Sequence, residues 1–453
     1  MVYSFSVNNF QYNNYNTVTA VRATSVDKKC SNPIPQSNSQ TASFSTIPFT
    51  ASNVRTSLSS KEEKNKYNEI VKIADKDTKK KLNNLLKSGI LLNANSNDNS
   101  TTLDNLYKIS TTQRAQGLNN TNILKETVAI LSDPHVITQQ FGNIPKQYQS
   151  QVATLSNNSP DANVEHSGTC VASSIEFNLA QKHPAEFARF VEGLSSPQMS
   201  VNKTIKFKNL ADNTLDAVWL LNAFEIPYKA DNFDEAVLTF APDKNAIVRA
   251  HIQTIDKDKL ERSSVDVLMQ STLMQVGSQQ SYDSLTDKRA GKFNQNDKGL
   301  IEFEKTFTES VVEDKNKISV TYQTVDENAR LVGYETDFNT MKRQIIESLN
   351  MGENVIIGYT QVDNNNVIIN GHEITITGVR NDRNGKLIFI CNDTDDNMAK
   401  PIEYSEDYLL PKIHHAALPQ AIAEKDTQYV ENWVEGLKSY KELKAQQYTK
   451  NVA

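Results

Sequence analysis

Ser167-Gly168-Thr169-Cys170-Val171-Ala172-Ser173-Ser174 and Asn370-Gly371-His372-Glu373-Ile374-Thr375-Ile376-Thr377-Gly378 are the two stretches on which the reading of this chain turns. In the first, Val171, Ile175 and Leu179 recur at helical spacing, which predicts a helix over 170–181 with the cysteine at its opening position. In the second, alternation predicts a strand with His372 near its start. His372, Ile374 and Ile376 then share one face, and Glu373, Thr375 and Thr377 the other. The His372 face is expected to pack inward, where a helix carrying Cys170 would lie. A thiol at a helix N-terminus, a strand-borne imidazole and a polar group to orient it are the parts of a cysteine nucleophile.

Each part has a physical rationale. Gly168 lets a substrate approach the backbone closely, and the helix dipole favours a thiolate in the first turn. The Cys170 N–H, at a helix start, is a natural donor to an oxyanion. Taken singly, Cys170 also reads as a small buried hydrophobe and His372 as a hydrogen-bonded core histidine. The third group is sought at Phe389-Ile390-Cys391-Asn392-Asp393, because the turn Asn381-Asp382-Arg383-Asn384-Gly385 returns a strand beside that of His372. Asn392 is the expected orienting residue, with Asp393 and Asp395 as rivals. The same segment reads alternatively as a solvated turn. A calcium loop is a weaker reading: Asp393, Asp395 and Asn397 have the spacing, but Met398 stands where glycine is required and Tyr404 where the closing glutamate belongs.

Outward from these stretches the chain divides by composition. Residues 1–58 are dominated by Asn, Ser, Thr, Gln and Tyr and read as a disordered leader, serving as a linker or an address, with an export signal as the sharper alternative. Residues 59–135 read as a helical module, opened by a Ser60/Glu63 capping box and broken at Gly89 and Pro134. Residues 136–420 are the expected catalytic domain, carrying a long insertion at about 196–335. Within that insertion Gly277 to Gly299 reads as a mobile surface loop. A helix over 338–349 and strands over 355–359, 367–379 and 386–391 follow. Residues 421–453 read as a C-terminal polar helix.

The bulk properties narrow the function. The chain has 453 residues with 48 basic and 54 acidic side chains, net −6, and no basic stripe interleaved with aromatics, so no nucleic-acid partner is expected. Mean hydropathy is −0.54 and no apolar run approaches the ~18 residues of a bilayer span, so no membrane association is expected either. The N-terminal residues lack a secretory pattern, which makes the cytoplasm the default, with signal-independent export open. The three cysteines, Cys30, Cys170 and Cys391, form no CxxC pair, which disfavours a disulfide scaffold and a metal knuckle.

The order Cys170, His372, Asn392, with these local contexts, resembles the papain-like cysteine peptidase superfamily. Gly168-Thr169-Cys170-Val171-Ala172-Ser173 resembles its helix-opening nucleophile segment, without the aromatic residue usual shortly after the cysteine. Asn370 to Gly378 is similar to the family's Gly-His strand, especially the calpain-type version. Leu349 to Ile357 matches the helix, glycine and apolar strand that precede that histidine. Phe389 to Asp393 is similar to the strand ending in the third catalytic residue. The resemblance spans about 165–397 and implies an α+β papain-like catalytic domain, with a helical subdomain carrying Cys170 and an antiparallel sheet carrying His372 and Asn392. It implies a thiol hydrolase acting on a protein or peptide through an acyl-enzyme, without cofactor or metal. The family's oxyanion glutamine falls at Val164 here, so Asn163 or His166, or Gln151 further back, stands in as the candidate. The family's Trp-Gly pair after the third residue is absent.

Three alternatives remain open at this level. A transglutaminase- or acyltransferase-like enzyme would keep the thiol and change the acceptor. A catalytically inactive papain-like fold would bind rather than cut, and a structural or adhesion role ranks last. The adjacent His414 and His415 are expected to face apart on a strand, one packed and one exposed; zinc through His372, His414 or His415 lacks a second ligand spacing.

Overall fold

The computed structural model describes residues 54–140, 167–211, 213–255, 261–289, 299–396 and 398–431, together with residues 438, 442 and 446. They build a mixed α+β architecture in which helices cover both faces of a seven-stranded antiparallel sheet. The sheet runs, edge to edge, Ile402–Ser405, Leu387–Asn392, Ile368–Asn381, Val355–Val362, Ile413–Pro419, Lys317–Thr321 and Val430–Glu431. Among the described residues no helix is long and apolar enough to cross a membrane.

The helices begin where side chains can take up orphaned N–H groups. Ser60 and Glu63 cap Lys61–Ile73 reciprocally, Thr101 and Asp104 do the same for Thr102–Thr111, and Ser263 with Asp266 for Ser264–Gly277. Gly89, at φ +80°, turns the chain out of Lys76–Lys87. These helices are not a separate body. Leu103, Leu106, Ile109, Ile123 and Val128 share one apolar cluster with the Cys170-bearing helix Cys170–Lys182 and with Phe187 and Phe190 of Pro184–Leu194.

The stretch read as an insertion supplies the middle of that layer. Every residue of Ser264–Gly277 is buried, and this helix packs directly against Cys170–Lys182. Glu302–Glu313 is likewise buried from Phe303 on, between the layer and the strand Lys317–Thr321. The expected surface loop after Gly277 departs from its reading as far as Arg289. It forms a two-stranded ribbon, Tyr282–Asp283 with Lys288–Arg289, in which Tyr282, Asp287 and Arg289 are all buried. The cause is ionic: Arg289 makes a bidentate pair with Glu304 at 2.9 and 2.6 Å, and polar residues so paired can be buried. Residues 290–298 lie outside the described residues.

Two further expectations are corrected by the sheet. The polar helix expected over 421–453 is interrupted at its start: after a short helix, Gln420–Ala423, Glu424–Tyr429 is a 3-10 turn and Val430–Glu431 joins the sheet edge beside Lys317–Thr321, while residues 438, 442 and 446 are helical as expected. The open edge of that strand offers backbone partners that a polar helix end does not. Second, Ile374 and Ile376 pack with Met341 and Ile345 of the helix Phe338–Asn350, on the face away from the Cys170-bearing helix. The face of Glu373 and Thr375, which are paired with Gly358 and Ile356, is the one that meets the helical layer. Both faces of this sheet are covered, so Ile374 and Ile376 pack on the side away from the Cys170 helix, while the expected meeting of His372 with Cys170 is found.

Candidate active site

Cys170 sits at the first position of its helix, partly exposed, while the residues behind it from Val171 to Ala180 are buried. Thr169, the residue before the helix, makes no capping bond to it. Its hydroxyl donates instead to Oε1 of Gln270 at 2.8 Å, and Gln270 Nε2 donates to Glu176 at 3.0 Å and to the Thr138 carbonyl at 2.9 Å. Gly168 N–H donates to the carboxylate of Asp287, whose other oxygen accepts from the Tyr282 hydroxyl at 2.8 Å. The Cys170 loop is thus pinned from two sides by buried polar groups, a geometry that rigidifies it when every partner is satisfied.

His372 lies at an unusual place in the sheet. The neighbouring strand Leu387–Asn392 ends where Asn392 pairs with Thr375, so His372 has a strand on one side only, that of Tyr359. The turn that follows Asn392 fills the vacated flank. Nε2 of His372 and Oδ1 of Asp393 are 2.7 Å apart, and the same oxygen accepts the Asp395 N–H at 2.9 Å. The Cys170 side chain is the other group acting on the ring, and with Nε2 taken by Asp393 the nitrogen that remains for it is Nδ1. Burial by itself would lower the imidazole pKa, but the Asp393 carboxylate and the Cys170 sulfur more than offset it and hold His372 well above its ordinary range.

The third role therefore belongs to Asp393 and not to Asn392. Asn392 is the last strand residue, 2 % exposed and in register with Thr375, and its Nδ2 has no hydrogen-bond partner among the described residues. One residue of chain parity decides this: Asn392 is committed to the ladder, whereas Asp393 is the first residue free to turn toward the ring. Asp395 hydrogen-bonds instead to Gln139 and Gln140, both at 3.1 Å. This places the aspartates of the suspected calcium loop in other service.

The turn is locked to the Cys170-bearing helix. Ser173 and Thr394 hydroxyls are 2.6 Å apart, and the Thr394 carbonyl accepts from Gln139 N–H at 3.0 Å and from Thr138 Oγ1 at 3.1 Å. Gln139 in turn accepts the Ser167 hydroxyl at 2.6 Å through its carbonyl. One short segment, 138–140, so ties the loop before Cys170 to the turn that carries Asp393. Asp287, Gln270, Gln139 and Thr394 were not singled out from the sequence. They lie far from Cys170 along the chain and belong to no motif, so no local signal pointed to them. Asn163, His166 and Gln151, the oxyanion candidates, lie outside the described residues, as does Cys30.

Cys391 is an internal contrast. It is fully buried on the strand beside that of His372, and burial pushes its thiol up, away from the thiolate. Comparison of the chain with protein-family models, with curated proteins and with solved structures finds no match.

Proposed function

We propose that the protein is a papain-like cysteine peptidase that cleaves peptide bonds of a protein or peptide through Cys170, His372 and Asp393. The observation that carries this reading is the His372 ring, held by Asp393 at Nε2, 2.7 Å away, and raised in pKa by that carboxylate and by the Cys170 sulfur at a helix N-terminus. An imidazole tuned upward and facing a thiol favours the thiolate–imidazolium pair, the reactive form of such a site.

In the proposed reaction the Cys170 sulfur attacks the substrate carbonyl carbon, and the carbonyl electron pair moves onto oxygen. The Cys170 N–H is positioned to help hold that oxyanion. Collapse of the intermediate breaks the C–N bond, and the leaving nitrogen takes its proton from His372, leaving a thioester. Water, deprotonated by His372, attacks the thioester; the new carboxylic acid leaves and the proton returns to the pair. Asp393 does not accept the proton. It fixes the ring orientation and stabilises the imidazolium.

The test is alkylation by an iodoacetamide-type probe across pH ~6 to ~8, below the ordinary thiol pKa of ~8.5, with the labelled residue mapped. Because the folded pKa of His372 is raised, its imidazolium persists as pH climbs past the ordinary imidazole value of 6.5 and is lost only at the raised value. Cys170 is therefore expected to label fast and nearly independently of pH in this window, while Cys391 stays unlabelled. His372→Ala should slow Cys170 labelling by ~10-fold or more and lower any peptidase turnover by ~10⁴-fold. Labelling of Cys170 that rises tenfold per pH unit, unchanged by His372→Ala, would sink the proposal. New peptide termini distinguish hydrolysis from amine incorporation in the same assay.

A further inference from the structure

A second imidazole cluster lies on the strand Ile413–Pro419, and it is independent of the thiol chemistry. Nδ1 of His414 and Nδ1 of His415 are 2.9 Å apart, and both converge on Oε1 of Glu302, at 2.8 and 3.1 Å. The expectation that these histidines face apart fails because the strand carries a bulge. Ile413 pairs with Tyr359 and His415 with Gly358, so His414 is the extra residue and its ring is re-aimed to the side of its neighbour's. Both side chains are about one-tenth exposed. The second ring is seated over Gly358, where a Cβ would come within 2.3 Å of His415 Cε1.

Lys305 Nζ lies 3.0 Å from Oε2 of Glu373, a buried ion pair. Charged Glu373 can only accept, so His415 donates Nε2–H to Glu373 Oε1 at 2.9 Å. Its Nδ1 faces a carboxylate oxygen and another imidazole nitrogen. A metal ion satisfies all three at once. Bonds of ~2.05 Å at ~90° put ligand atoms ~2.9 Å apart, and at the tetrahedral angle ~3.3 Å. The observed edges of 2.8 to 3.1 Å match the first and are within a small adjustment of the second.

We propose that Glu302, His414 and His415 bind one divalent first-row transition-metal ion, with Zn²⁺ the best fit. Two imidazoles and one carboxylate suit zinc and its neighbours; magnesium and calcium select all-oxygen sites. The Glu373–His415 bond is the carboxylate–imidazole contact that fixes the tautomer of a metal-binding histidine. Glu302 is anchored by its second oxygen, which accepts from Thr321 at 3.1 Å, and its side chain is 18 % exposed, which leaves a coordination position open to water. The metal would clasp the first turn of Glu302–Glu313 to the sheet.

Cys170, His372 and Asp393 could themselves capture zinc, so the test uses the full chain bearing Cys170→Ala, stripped with a chelator and dialysed against Zn²⁺ near neutral pH. Bound metal counted by atomic emission is expected at one ion per chain, unaffected by excess Mg²⁺, with visible absorption of a low-symmetry site when Co²⁺ replaces it. Glu302→Gln and His414→Ala should each weaken binding by at least ~10-fold, and Glu373→Gln by ~10- to 100-fold. Should His414→Ala not fold, Glu302→Gln carries the test alone, since it keeps the side-chain volume. Circular dichroism in chelator checks its fold. No stoichiometric Zn²⁺ in Cys170→Ala, binding retained in Glu302→Gln, or displacement by Mg²⁺ would each overturn the proposal.

Discussion

His372 with Asp393 and His415 with Glu373 are two versions of one device, a carboxylate holding Nε2 of an imidazole, at 2.7 and 2.9 Å. They meet on one strand, since His372 and Glu373 are consecutive. What separates them is the group facing the other ring nitrogen. For His372 it is a partly exposed sulfur at a helix start; for His415 it is a carboxylate and a second imidazole, in a site ringed by Lys305, Glu302 and Thr321. The orienting carboxylate therefore does not itself specify chemistry. It fixes a tautomer, and in the two proposals it is the group on the far side of the ring that would make one pair an acid–base device and the other a ligand set.

Asp393→Asn is the sharpest way to break the first half of the comparison. Removing the charge should lower turnover by ~10²- to 10⁴-fold and shift the upper limit of the Cys170 labelling window to lower pH, because the raised imidazole pKa depends on that carboxylate. Asn392→Ala should change turnover by less than ~10-fold. The reverse ranking would restore Asn392 to the orienting role.

Glu373→Gln tests the other half. In metal-free protein it leaves Lys305, itself inaccessible, without its charge partner at 3.0 Å, and should lower the unfolding free energy by about 3 kcal/mol in urea titration. A loss below ~1 kcal/mol would mean that the pair behaves as a solvated surface bridge. The smallest effect is expected at the joint between helix and turn: Ser173→Ala removes the 2.6 Å bond to Thr394 and should cost about 1 kcal/mol. If Asp393 is positioned through that joint, the same variant also slows Cys170 labelling; unchanged labelling with the stability loss would make Ser173 purely structural.

Much of this was legible in the residues. The helix from Cys170, the glycine-flanked His372 strand and the returning strand to Asn392 follow from periodicities of 3.6 and 2 with turn residues between them, signals carried within a dozen neighbours. The capping pair at Ser60 and Glu63 is equally local. Periodicity says that a face is apolar but not what covers it, and so Ile374 and Ile376 were turned to the wrong layer. It also cannot see a strand's last rung, and the choice between Asn392 and Asp393 hung on that single residue.

The sequence by itself determined that this chain is a mixed α+β protein bringing a helix-borne cysteine into the company of a strand-borne histidine, because both elements are written in short-range patterns. Only the tertiary structure decided which carboxylate orients His372, that Asp287, Gln270 and Gln139 pin the Cys170 loop, and that a bulge turns His414 and His415 onto Glu302. Those choices depend on where one strand stops pairing and another gains a residue. Register of this kind is set by the packing of distant segments and leaves no trace in local composition.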